Sequence, residues 1–97
     1  MFTSKERANL RSIASTLKPI AQVGKEGISE NLINGLSDAL EAHELIKVTL
    51  LPTSGEDGSN LAENIADLLG AELVTVIGRK AIFYRKSSKK DFDHITF

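Results

Sequence analysis

The sequence predicts a single α/β domain with a four-stranded mixed sheet, its elements in the order α-β-α-β-α-β-β. Three observations carry this. Three segments place apolar residues at helical spacing, four short apolar runs rich in β-branched residues separate or follow them, and glycine, proline or polar clusters mark the junctions. A chain of 97 residues supports one core and not two.

The first helix is read between Thr3 and Leu17, with Leu10, Ile13, Ala14 and Leu17 on one face. Thr3 or Ser4 caps it, with Glu6 or Arg7 in its first turn, and Pro19 ends it by pushing Lys18 out of the helical region. Ile20 to Val23 is a short strand. Ser29 caps a second helix whose inward face is Leu32, Ile33, Leu36, Ala39 and Leu40. Gly35 within it costs about 1 kcal/mol relative to alanine, which predicts close packing at that point. Leu45 to Leu51 is a second strand, apolar enough to be buried on both faces. The Pro52–Ser59 segment is a loop. A third helix starts at Ser59 or Asn60, turns Leu61, Ala62, Ile65, Ala66, Leu68 and Leu69 inward, and stops at Gly70. Glu72 to Ile77 is a third strand, Gly78-Arg79-Lys80 a turn, and Ala81 to Tyr84 a fourth strand forming a hairpin with it. Residues 1–86 thus form the domain, and residues 87–97 read as a polar C-terminal tail, either disordered or docked locally through Phe92, Ile95 and Phe97.

The segment with the most chemical content is Gly24-Lys25-Glu26-Gly27, at the junction of the first strand and second helix. Two glycines let backbone N–H groups approach a phosphate closely, and the helix N-terminus adds the positive end of its dipole. Loops of the Gly-x-x-Gly kind clamp nucleic-acid backbones. The same glycines would equally serve a tight turn that needs positive φ and binds nothing. In an α/β sheet the loop leaves the carboxyl end of its strand, the usual binding edge.

Charge is segregated along the chain. Residues 1–27 balance at +3, residues 28–78 at −8, residues 79–90 at +6 and the last seven at −2, for a net charge of −1. The total argues against a nonspecific nucleic-acid binder. The distribution argues for one, if the fold joins the first and third blocks into a basic face. Lys18, Lys25, Arg79 and Lys80 are the residues expected to form that patch, with the acidic third helix on another face.

Several chemistries are not expected. The chain has no cysteine, hence no disulfide, thiolate metal site or thiol nucleophile. Its longest apolar runs are too short to cross a bilayer, and Met1 to Arg7 is not followed by the apolar stretch of a signal peptide, so a cytoplasmic protein is expected. Lys25 is not followed by Ser or Thr, which excludes a P-loop. No catalytic residue set, metal site or cofactor is expected. His43 reads as a partner for the second helix's C-terminus, and Glu41 and Glu44 read as solvated helix-end residues. Of Phe83 and Tyr84, adjacent on a strand, one is expected in the core and the other is available to stack a base.

Three ordered segments resemble the signatures of one family. Leu17 to Ile28 resembles the first signature of the CRM domain, the module of chloroplast RNA splicing and ribosome maturation proteins. Ala39 to Val48 matches its second, and Val76 to Arg79 with Phe83-Tyr84-Arg85 its third. The resemblance covers roughly residues 2 to 86 and points to the free-standing, bacterial YhbY-type members. It implies a fold similar to the C-terminal domain of translation initiation factor three. It also implies an RNA-binding protein that contacts structured ribosomal RNA through the Gly-x-x-Gly loop, in precursors of the large (50S) subunit. Gly24, Lys25 and Gly27 fall on the family's RNA-contacting loop; Glu26 departs from the small or basic residue common there. Lys18, Arg79 and Lys80 are added as contacts from charge and position alone. The competing reading is a protein-interaction domain whose acidic residues Glu56, Asp57, Glu63 and Asp67 meet a basic partner. A monomer is expected in either case.

Overall fold

The computed structural model describes residues 2–24, 28–51, 58–88 and 94–95. Its elements are α1 (Ser4–Ala14), β1 (Ala21–Val23), α2 (Glu30–His43), β2 (Leu45–Leu50), α3 (Gly58–Leu69), β3 (Glu72–Ile77) and β4 (Lys80–Tyr84). The sheet order is β1-β2-β4-β3. β1 runs parallel to β2, and β4 is antiparallel to both its neighbours. The expected α-β-α-β-α-β-β order and mixed four-stranded sheet are therefore the architecture found.

Local chemistry accounts for the helix starts. Thr3 accepts from the Glu6 N–H at 3.1 Å while Glu6 accepts from the Thr3 N–H at 3.0 Å, a reciprocal cap. Ser29 caps α2 by accepting from the Leu32 N–H at 3.1 Å. Gly70, with φ of 62°, takes the left-handed conformation just past α3, and Gly78, with φ of 60°, does so in the β3–β4 turn.

The sheet separates two cores. On one face, α2 and α3 bury Leu36, Leu40, Leu61, Ile65 and Leu69 against Val23, Ile46, Val48, Leu50, Ala81 and Phe83. On the other, α1 packs Leu10 and Ala14 against Leu45, Val74, Ile82 and Tyr84. The ladder between β3 and β4 is irregular between Leu73 and Thr75. There Arg7 of α1 donates to the carbonyls of Leu73 and Val74 at 3.1 and 2.5 Å, satisfying backbone acceptors that the irregular pairing leaves over.

Four sequence expectations need correction. Leu68 is 59% exposed and lies off the buried stripe of α3. Gly35 is not closely packed, because a Cβ there would meet nothing within 4 Å. β2 is not buried on both faces, since α1 is too short to cover the whole sheet and Lys47 and Thr49 remain half-exposed. Tyr84 is not free to stack a base, being buried with its ring edge-on to Phe2 at 5.5 Å, while Phe83 is buried on the opposite face.

Candidate nucleic-acid interface

One edge of the sheet gathers several of the residues singled out from the sequence. β1 and β2 end there, and β4 begins there. The Leu51 N–H donates to the Val23 carbonyl at 2.9 Å, and the Leu50 N–H donates to the Arg79 carbonyl at 2.6 Å. Gly24, Leu51 and Arg79 are therefore side by side. Lys80 follows as the first residue of β4, opposite Thr49. Lys18 borders the same region, lining a shallow concavity with Gln22 and Thr49. Lys25, Glu26 and Gly27, and with them the expected contact of Lys25 with the patch, lie outside the described residues.

Gly24 has a geometry that bears on its role. Its φ is not in the left-handed region that Gly70 and Gly78 occupy. Among the described residues, a Cβ at Gly24 would meet only the Leu51 methyl, at 3.9 Å, an ordinary contact. Neither the backbone conformation nor packing against the described residues therefore demands glycine here.

Charges near this edge have different tasks. Lys18, Arg79 and Lys80 are exposed. Lys47 is half-buried and donates to the Leu17 carbonyl at 3.0 Å. Arg85 belongs to the basic block of the sequence but is half-buried and structural. It donates to the Leu69 carbonyl at 2.7 Å, to the Ser37 carbonyl and hydroxyl at 2.9 Å each, and pairs with Glu41 at 3.5 Å. The exposed acids Glu63 and Asp67 sit on α3, on the face of the sheet away from α1; Glu56 and Asp57 lie outside the described residues. Glu30, in the first turn of α2, is the described acid nearest the Gly24 loop in sequence.

At the far end of the sheet, the solvated role expected for Glu44 does not hold. Glu44 is fully buried, with φ of 64°, at the C-terminus of α2. Its carboxylate accepts from the Ser87 N–H at 2.7 Å, the Ile95 N–H at 2.8 Å and pairs with His94 Nδ1 at 2.5 Å. Burial alone would raise its pKa, but these donors outweigh burial and hold it below the ordinary glutamate value. Glu41 is half-buried and bound to Ser88 and Arg85, and the Ser88 hydroxyl is the main reason its pKa is lowered. Ser87, Ser88, His94 and Ile95 thus dock onto the end of α2. Sequence alone offered one signal for this, an acidic residue at a helix C-terminus, where the dipole disfavours it unless donors are supplied.

The fold is thus a small α/β domain with a glycine at the carboxyl end of β1 and exposed cations near it. The model of the CRS1 / YhbY (CRM) domain matches residues 2–85, and the chain belongs to this family. It is similar to "Probable RNA-binding protein YqeI" of Bacillus subtilis, 42% identical over 89 residues, which are 92% of this chain and 93% of the relative. It is also similar to a protein of Haemophilus influenzae named "RNA-binding protein", 29% identical over 91% of this chain and 89% of the relative. The solution structure of the protein SAV1595 of Staphylococcus aureus superposes with a TM-score of 0.78 at 43% identity, covering 94% of this chain and 95% of that one.

Proposed function

We propose that this protein binds RNA at the sheet edge marked by Gly24, Arg79 and Lys80, with the Gly24–Gly27 loop clamping phosphate. Its RNA is ribosomal, within precursors of the large subunit, so that it serves as a 50S assembly factor and not as an enzyme. The names of its relatives support RNA as the ligand, and the resemblance of Leu17–Ile28, Ala39–Val48 and Val76–Arg79 to the signatures of ribosome maturation proteins is what suggests ribosomal RNA. The observation that carries the site is Gly24: a glycine that neither its φ nor its contacts with the described residues require stands at the carboxyl end of a strand, near exposed cations. Phosphate contacts of this kind position RNA and carry little base information.

The test has two arms. Gly24→Leu is expected to melt as a single cooperative transition near the wild-type temperature and to lose RNA affinity, because its side chain fills the space left for phosphate. Unchanged affinity in the folded variant reduces the loop to a turn. In cells, crosslinking followed by sequencing of bound RNA is expected to recover large-subunit ribosomal RNA. Recovery of no RNA above background would overturn the reading. One observation favours a protein partner in that event: Leu68 is 59% exposed beside the exposed Asp67 of α3, an apolar and acidic surface on the other face of the sheet. Association with a basic ribosomal protein that survives ribonuclease would identify it.

A further inference from the structure

Among the described residues, α1 together with Leu17 and Ile95 covers only part of its face of the sheet. Its buried residues Leu10 and Ala14 reach Leu45, Val74, Ile82 and Tyr84. Beyond them a complete row crosses all four strands: Gln22 opposite Thr49, Thr49 opposite Lys80, and Lys80 opposite Ile77. Strand alternation turns these side chains away from α2 and α3, since their neighbours Val23, Val48, Leu50, Ala81 and Val76 pack on the other face. Gln22, Lys80 and Ile77 are exposed, Ile77 by 54%, and Thr49 is half-buried. The row behind holds Lys47 and Thr75 on either side of Ile82. Neither row contains Asp or Glu. Lys47 and Lys80 are diagonal neighbours on β2 and β4, roughly 7–8 Å apart by sheet geometry. Lys18 adds a third cation at the margin. Lys47 uses one ammonium proton on the Leu17 carbonyl and retains two.

We propose that this exposed row is a second phosphate-binding surface, continuous with the Gly24–Arg79 edge, and that it carries the backbone of base-paired RNA. The proposal rests on the RNA-binding reading above and names the class of RNA. Charge complementarity selects a polyanion. Ring chemistry selects the duplex: single strands are held by stacking their bases on exposed aromatic side chains. Neither row carries an aromatic side chain, and of the described rings Phe83 is buried on the far face while Phe2 and Tyr84 pack on each other. A duplex stacks its own bases and presents phosphates and 2′-hydroxyls, which suit a flat surface of lysine, threonine and glutamine. Four strands make that surface about 14 Å across. Arg79 and Lys80 are consecutive, so a rod that contacts both touches the edge and the adjoining margin of the face.

Fluorescence anisotropy with a blunt RNA duplex of about 20 base pairs, which exceeds the span of a single double-strand-binding module, and with each strand alone tests this. The wild type is expected to bind the duplex roughly tenfold or more tightly than either strand. The double variant Lys18→Gln/Gln22→Glu, which spares the Gly24–Arg79–Lys80 edge, is expected to keep the wild-type melting temperature, because both side chains are exposed. It should lose roughly tenfold in duplex affinity, and the slope of log K against log salt should flatten by about one per lost contact. Single strands binding as tightly as the duplex, or an unaltered duplex affinity in the double variant, would overturn the proposal. If Gly24→Leu still loses binding in that case, the loop reading stands without the face. If the wild type binds neither RNA form, both readings fall. Binding of polyglutamate in place of RNA, lost in the double variant, assigns the face to an acidic protein instead.

Discussion

The carboxyl group of Glu44 shows how one residue sets a pH dependence. Held below its ordinary pKa in the folded protein, it contributes stability that is fully present above the unfolded glutamate value and is lost as pH falls through the folded one. Glu41, lowered chiefly by Ser88, acts in the same acid window. Glu44→Gln replaces an oxygen by an NH₂ group facing the donors Ser87 N–H, Ile95 N–H and His94. The expected cost near neutral pH is about 1–3 kcal/mol, the penalty of an unsatisfied buried donor. The variant's stability should then fall less steeply than the wild type's between neutral and acid pH, measured by urea unfolding at a series of pH values. Parallel curves would mean that Glu44 does not carry the acid sensitivity. The positive φ of Glu44 makes the same point from the backbone: a strained conformation persists because the side chain is held by three partners.

Elements meet through arginines that look alike in the sequence and differ in the fold. Arg85 joins the end of β4 to the C-terminus of α3 through the Leu69 carbonyl and to α2 through Ser37. Carbonyls at a helix C-terminus lack partners within the helix, so Arg85 satisfies an acceptor that would otherwise be buried unmet. Arg85→Ala is expected to cost about 1.5–3 kcal/mol of stability, as for hydrogen bonds to charged groups. Arg79→Ala, in an exposed turn, should change stability by no more than about 0.5 kcal/mol. For RNA affinity the order reverses: Arg79→Ala weakens binding and folded Arg85 variants do not. Denaturant midpoints and RNA titrations on the same two proteins check both halves.

For the whole molecule, a net charge of −1 conceals two opposed surfaces. The exposed acids of α3 lie on one side of the sheet, and Lys18 and Lys80 border the other. Binding should therefore weaken steeply with salt even though the protein as a whole is slightly acidic, because counterion release counts local contacts and not net charge. Lys25→Ala should weaken binding to many RNAs by similar factors and flatten the salt slope by about 0.7–1. Glu26→Lys should steepen it. A changed ranking among RNA sequences in Lys25→Ala would point to base readout at the loop, and an unaltered slope in the folded variant would remove Lys25 as a phosphate ligand.

The amino-acid order alone determined the helices, strands and family. Helix starts are announced by Thr3 and Ser29, stops by Gly70, and strands by runs such as Leu73 to Ile77, because these signals act within a few residues and survive without context. It also marked Gly24 and the basic blocks. Only the tertiary structure decided which cations are available, since Arg85 and Arg7 spend their charge on carbonyls that sequence does not bring near them. Only it buried Glu44, because Ser87, His94 and Ile95 are more than forty residues away along the chain. And only it left the row from Gln22 to Ile77 exposed, because α1, ending at Ala14, does not bury it. Local patterns specify which face of an element is apolar; how far a neighbouring element reaches across that face is a property of the assembled fold.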